Sequence, residues 1–320
     1  MPIPSEGIHF RIELEHAGQR LDRVLTACLS DCSRSYAAQL IRNGALVVNH
    51  QCRKPSYRVC LGDVVSGHRP DPEPPQYAPE PMDLTIIHED AHVIVLDKPA
   101  GMVVHPAPGH PCGTLVNGLL YHCPDLQKRE DAHRPGIVHR LDKDTSGVMV
   151  VAKDRRSHES LARQFKQRNV SKHYLGIVRG RMASSEGQVD LPIGRHPTDR
   201  KKMSIITRKG RAALTRWTVR TQFRGAALLT LELKTGRTHQ IRVHCAAMHH
   251  PILGDPVYGG RCRGDLVLSD EVARALSEAG RQMLHAWRLA FKHPHSDQRM
   301  TFEVAPPADM QRVLHLLSKG

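Results

Sequence analysis

Six prolines in thirteen residues, RPDPEPPQYAPEP at positions 69–81, constrain this chain more than any other feature. Proline fixes φ and lacks an amide proton, so the stretch can be neither a helix nor a central strand. The residues before it must therefore fold apart from those after it. At 320 residues the chain has room for two domains. The expected division is a small domain over 1–68, a linker over 69–82 and a larger domain over 83–320.

The small piece has helical periodicity. Leu21, Val24, Leu25, Cys28 and Leu29 recur at one-face spacing. Ser33 can cap a second helix with Tyr36, Ala37, Leu40 and Ile41 on one face and Gly44 at its end. Residues 46–49 and 58–61 read as short strands, with turns at 50–51 and 62–63. In the larger piece, 93–97, 102–105, 148–152, 174–178 and 228–233 read as strands. Residues 114–121, 154–168, 238–248 and 308–317 read as helices, with Thr114, Asp154 and Thr238 as N-caps. This irregular order predicts an α+β fold with a mixed, largely antiparallel sheet.

Charge indicates the partner. Lys and Arg number 46 against 32 Asp and Glu, a formal net of +14. Such a surplus suits a protein that neutralises phosphates, although a merely soluble basic protein would also carry it. The 22 His add charge below about pH 6.5, so anion binding should tighten on mild acidification. Aromatic residues are only 4%, too few for broad base-stacking platforms. The longest apolar runs fall far short of the ~20 residues that span a bilayer, and the N-terminus lacks a signal-peptide core. The eight Cys form no CxxC pair and match no zinc spacing, so reduced, mostly buried thiols in the cytoplasm are expected.

Familiar cofactor motifs are missing. There is no GxxxxGK[ST], no GxGxxG after a strand, no HExxH, no PCxxC and no GxSxG. HRLD at 139–142 lacks the companion motifs of a kinase. What remains is polar punctuation around one carboxylate. Residues 139–147 read HRLDKDTSG just before an apolar strand. Residues 235–244 read TGRTHQIRVH, and 172–174 read KHY. A carboxylate beside an Arg keeps its charge and is oriented by the guanidinium fork, which suits a nucleophile or general base. An ordinary capped turn would also explain HRLDKDTSG.

HRLDKDTSG followed by GVMVVAK resembles the signature of the RluA-type pseudouridine synthases. DKPAGMVVHP (97–106), TGRTHQIRVH and HPILGDPVYGG (250–260) are similar to that family's other blocks, in the same order. RLDRVL, SRSYAAQLIRNGALVVN and the following GD resemble the RNA-binding module of ribosomal protein S-four. The resemblance implies a pseudouridine synthase catalytic domain behind a small S-four-like domain, and isomerisation of uridine in RNA. It implies large-subunit (23S) ribosomal RNA as substrate, at the helix-69 stem-loop, free or in a precursor subunit. A synthase for another rRNA or tRNA site and a noncatalytic ribosome-assembly factor stay open. No cofactor, metal or membrane is expected, and the chain is expected to be a monomer.

By the same resemblance Asp142 is the catalytic nucleophile or base. Arg242 pairs with it, Tyr174 stacks on the target base, and Arg140 fills the space a flipped nucleotide leaves. Asp144 reads as structural, His139 as a loop-ordering or RNA-touching residue, and Thr145, Ser146 and Gly147 as turn-forming. Arg34, Arg42 and Lys54 in the small domain are candidate RNA-binding residues. So are Lys201 and Lys202, within a basic stretch (195–211) expected to form an RNA-facing loop or ribbon. Helix 154–168 adds further cations. Phosphate contacts of this kind supply affinity and salt dependence rather than target choice.

Overall fold

The computed structural model describes residues 7–29, 32, 34–68, 77–106, 110–128, 135–199, 202–207, 209–259 and 268–319. The chain divides into two compact units, Met1–Pro75 and Gln76–Gly320.

In the first unit, strand β1 (Gly7–Arg11) is followed by helices α1 (Leu21–Cys28) and α2 (Arg34–Arg42), then strands β2 (Leu46–Val48) and β3 (Val64–His68). The sheet order is β1-β3-β2, antiparallel throughout. The periodic residues form the core: Leu21, Val24 and Leu25 of α1 meet Ala37, Leu40 and Ile41 of α2. Cys28 lies on the same stripe but is exposed, because α1 ends there. Ser33, the expected cap of α2, lies outside the described residues.

Residues 58–61 are not a strand. Val59 bonds to the loop before α1 instead, donating to Gln19 O and accepting from Gly18 N–H. The sheet is completed by β1 and β3, which the sequence pattern does not announce.

The second unit carries β4 (Thr85–Glu89), β5 (Val93–Lys98), α3 (Leu115–His122), β6 (Ser146–Ala152), α4 (Arg155–Gln167), β7 (Ser171–Arg179), β8 (Glu186–Asp190), β9 (Gly194–Arg195), β10 (Met203–Ser204), β11 (Leu214–Gln222), β12 (Ala226–Leu233), α5 (Gln240–Ala247), α6 (Asp270–Ala279), β13 (Leu284–Lys292), β14 (Arg299–Glu303) and α7 (Ala308–Lys319). Among the described residues nine strands form one sheet, β4-β5-β6-β13-β7-β12-β11-β8, with β14 beside β13. All pairings are antiparallel except β6 with β13, so the predicted mixed, largely antiparallel sheet is present.

All seven residues of β6 are buried. Met149 and Val151 pack with α3, whereas Val148 and Val150 pack with Leu161 of α4. A strand apolar on both faces needs cover on both, and these helices provide it. Of the expected linker, residues 77–82 lie against α3. Asn117 donates from Nδ2 to Ala78 O, and Glu80 N–H donates to Asn117 O. Residues 102–105 are not a strand either, because the carbonyls of Val103 and Val104 accept the first N–H groups of α3.

Asp154 does cap α4, accepting from Ser157 N–H. Thr238 does not cap α5, whose preceding residue is His239 at φ +55°. Among the described residues Cys32, Cys123 and Cys245 are buried, but Cys28, Cys52, Cys60 and Cys112 are exposed. The thiols are therefore not mostly buried, since the exposed ones sit at helix ends and in turns. No described helix is long and apolar enough to cross a membrane.

Candidate active site

Asp142 stands on the loop that enters β6. The loop closes on itself where Thr145 N–H donates to Asp142 O at 3.1 Å. Lys98, fully buried at the end of β5, secures it from below. Its Nζ donates to the carbonyls of Pro99 (2.7 Å), Met102 (3.0 Å) and Lys143 (3.0 Å). Burial pushes that amine down to about 8. Arg281 reaches Asp144 O at 3.2 Å, so Asp144 contributes backbone to the loop's support. Gly147, at φ +122°, lets β13 come alongside, since a Cβ there would meet Ala286 O at 2.3 Å. Ser146 Oγ lies 2.9 Å from His285 Nδ1 across the same pairing. Thr145, Ser146 and Gly147 thus shape and seat the turn.

Arg242 comes from the first turn of α5. The approach to this helix is fixed by Gln240, whose Oε1 accepts from Thr235 Oγ1 (2.7 Å) and Arg237 N–H (3.0 Å), and whose Nε2 donates to Leu214 O (3.0 Å). Arg242 donates from Nη1 to Asp142 Oδ2 at 3.4 Å. Its better-formed bonds go elsewhere: Nε to Asp255 Oδ2 at 2.7 Å and Nη2 to Asp255 Oδ1 at 2.9 Å. The expected pairing with Asp142 is therefore a single contact, and the bidentate fork belongs to Asp255.

His239 also faces Asp142, with Nε2 4.0 Å from Oδ2. Its Nδ1 lies 2.8 Å from Tyr258 Oη, which accepts Met203 N–H at 2.9 Å. Burial lowers the affinity of this imidazole for a second proton.

Tyr174, on β7, is buried in the wall of the same cleft. Burial and the neighbouring charge of Asp142 push its phenol upward, so it stays protonated at neutral pH. Arg140 is exposed and lines the cleft, as does Lys172, whose amine burial pushes down to about 8. The cavity holds about 460 Å³, and seven Lys and Arg side chains line it against one carboxylate, Asp142. An anionic ligand fits that balance. Asp142, one-fifth exposed, has an open oxygen positioned to attack an electrophilic carbon or accept a proton. Among the described residues no group of His, Cys, Asp or Glu is arranged to hold a metal.

The structure thus brings Asp142, Tyr174, Arg242 and Arg140 to one cleft. Arg34, Arg42 and Lys54 lie in the first unit, with Arg34 donating to Asp22 at 3.2 Å and Arg42 and Lys54 exposed. Lys202 follows the loop into the two-strand ribbon β9–β10, its Nζ 3.9 Å from Asp199. Lys201, with Arg200 and Arg208, lies outside the described residues. His239, Asp255, Tyr258, Lys98 and Lys172 were not assigned from sequence. Each stands inside one of the motif blocks, but only distance reveals what it touches.

Residues 92–247 match the family model described as RNA pseudouridylate synthase, and residues 19–65 match the S4 domain. An uncharacterized RNA pseudouridine synthase of Aquifex aeolicus is 42% identical over 318 residues, covering 98% of each chain. Ribosomal large subunit pseudouridine synthase D of Neisseria meningitidis serogroup B is 43% identical over 312 residues, covering 97% of this chain and 82% of that relative. The solved structure of human RNA Pseudouridylate Synthase Domain Containing 4 is similar with a TM-score of 0.58 and 29% identity, covering 73% of this chain and 93% of that chain.

Proposed function

This chain belongs to the RNA pseudouridylate synthase family, with an S4 domain before the catalytic one, and on that footing we propose that its substrate is large-subunit ribosomal RNA. It is an RNA pseudouridine synthase. The relatives named ribosomal large subunit pseudouridine synthase D support the substrate, and the resemblance of the motif blocks is what supports the helix-69 stem-loop as the target proposed within it.

The reaction cuts the bond between C1′ and N1 of uridine, turns the base and joins C1′ to C5, which then loses its proton while the freed N1 takes one up. No atom is gained or lost overall. Asp142 either attacks C1′ or takes the 2′ proton. The observation that carries this reading is its position as the one carboxylate in a cation-lined cleft, open on one side and held by Arg242 on the other. Tyr174 stacks on the target base. Arg140 occupies the gap left by the extruded nucleotide, because a stacked uridine hides its glycosidic bond. Arg34, Arg42, Lys54, Lys201 and Lys202 serve as phosphate contacts, so reversing their charge weakens binding and flattens its salt dependence.

The test is tritium release from large-subunit rRNA labelled at uridine C5, offered free and in precursor subunits. Wild type releases tritium, whereas Asp142→Asn binds the RNA and releases none. Release by Asp142→Asn at the wild-type rate sinks the assignment of Asp142. Silence of the wild type on rRNA with release from tRNA moves the substrate to tRNA, and silence on both favours a binding factor.

A further inference from the structure

The side chain of Asp255 is fully buried and takes no part in the chemistry set out above. Its two oxygens accept four hydrogen bonds between them. Oδ1 accepts from Arg242 Nη2 and from the N–H groups of Val257 (2.8 Å) and Tyr258 (2.9 Å), and Oδ2 accepts from Arg242 Nε. The turn is closed by Gly259 N–H donating to Asp255 O. A carboxylate this well bonded stays ionised, and its position is fixed. The guanidinium is held at its Nε and Nη2, with its central carbon 5.1 Å from the ring centre of Tyr258. Its Nη1 is the nitrogen that meets Asp142, at 3.4 Å.

This anchoring has two effects. A free Arg is flexible, and fixing it beforehand removes the cost of ordering its rotamers from the reacting state. One positive charge is also shared between two carboxylates, so Asp142 is oriented without being fully neutralised. We propose that Asp255 is a positioning residue of the isomerisation: it holds Arg242 so that a single nitrogen orients Asp142. This rests on the reading that Asp142 performs the chemistry.

The test uses the full chain, tritium-labelled large-subunit rRNA and separate readings of kcat and KM. The variants are Asp255→Asn, Arg242→Gln, both together, and Asp142→Asn. Asp255→Asn should lower kcat by about 10²-fold, the cost of a small misplacement, and leave KM unchanged. The double variant should be no slower than Arg242→Gln alone, because Asp255 acts through Arg242. An unchanged kcat in Asp255→Asn, or effects that multiply in the double variant, would overturn the proposal. A silent Asp142→Asn beside a fully active Asp255→Asn removes Asp255 alone, whereas an active Asp142→Asn removes the underlying reading as well. If Asp255→Asn fails to melt cooperatively, Asp255→Glu replaces it. That variant keeps the charge but displaces the fork, so kcat should fall at constant KM, and wild-type kcat overturns the proposal.

Discussion

His139 lies face to face with Phe165, ring centroids 4.6 Å apart and planes 20° apart, while its Nε2 accepts Val150 N–H at 3.1 Å. The start of the Asp142 loop is thereby tied to both β6 and α4. Protonation would forfeit the bond to Val150, and burial holds the imidazole down at about 3. The unfolded chain takes up that proton near 6.5 and the folded chain does not. The contribution to stability is therefore complete above about pH 6.5 and is lost progressively as pH falls toward 3. His139→Gln, whose amide oxygen can still accept from Val150, should flatten the fall of unfolding free energy between about pH 6.5 and pH 4. Urea titrations across that window test this, and an unaltered slope assigns the acid sensitivity to other groups.

Lys98→Met leaves three carbonyls without their shared donor. Leaving buried acceptors unsatisfied costs of order 1–3 kcal/mol each, partly relieved by relaxation, so a net loss of about 3 kcal/mol is expected in denaturant unfolding. Because one acceptor is Lys143, next to Asp142, kcat should fall even where the variant is fully folded. Wild-type stability in this variant would contradict the role of the ammonium as a clamp.

Lys172 loses its charge near pH 8, within reach of experiment. RNA affinity should weaken as pH rises through that value, and the salt slope should drop by about one phosphate contact. Lys172→Arg, which keeps its charge, should abolish the pH dependence. Binding isotherms at several salt concentrations decide the matter, and identical slopes on both sides of pH 8 exclude Lys172 from the interface.

Arg140→Ala should harm structured RNA more than unstructured RNA. Extruding a stacked base costs a few kcal/mol, and a short single strand is spared most of that. The expected kcat loss is up to about 10²-fold on a stem-loop and small on an unstructured oligonucleotide. Equal losses on both would remove the link to base extrusion.

The legible parts of this protein are those whose physics is local. The apolar run of β6 and the one-face spacing of α1 appear directly in the sequence, and so does the Asp154 cap. β13 escapes a sequence reading because Arg288 and a register shift between His285 and Arg288 interrupt its pattern. β11 escapes it because its buried polar Thr215 is matched by Gln240 and His244, distant in sequence. Residues 102–105 mislead because their β-forming side chains sit on carbonyls that serve a helix. In the site, motif order indicates Asp142, Tyr174 and Arg242, which the structure brings to one cleft. It cannot reveal that Arg242 gives its fork to Asp255, a preference set by distances between side chains.

The position of β13 also governs when the protein can fold. It joins β4-β5-β6 to β7-β12-β11-β8, although it comes after all of them in the chain. From the end of β6 to the start of β13 the ribosome adds ~130 residues, which at roughly 5–20 residues per second takes about 7–26 s. Throughout that interval Ser146 and Gly147, at the start of β6, lack the β13 residues they pair with, His285 and Ala286. A nascent chain halted before residue 284 should remain open to proteases at β6, while a chain carrying β13 should resist them. Synthesis of the catalytic sheet is thus a period of aggregation risk that ends only when its central strand arrives.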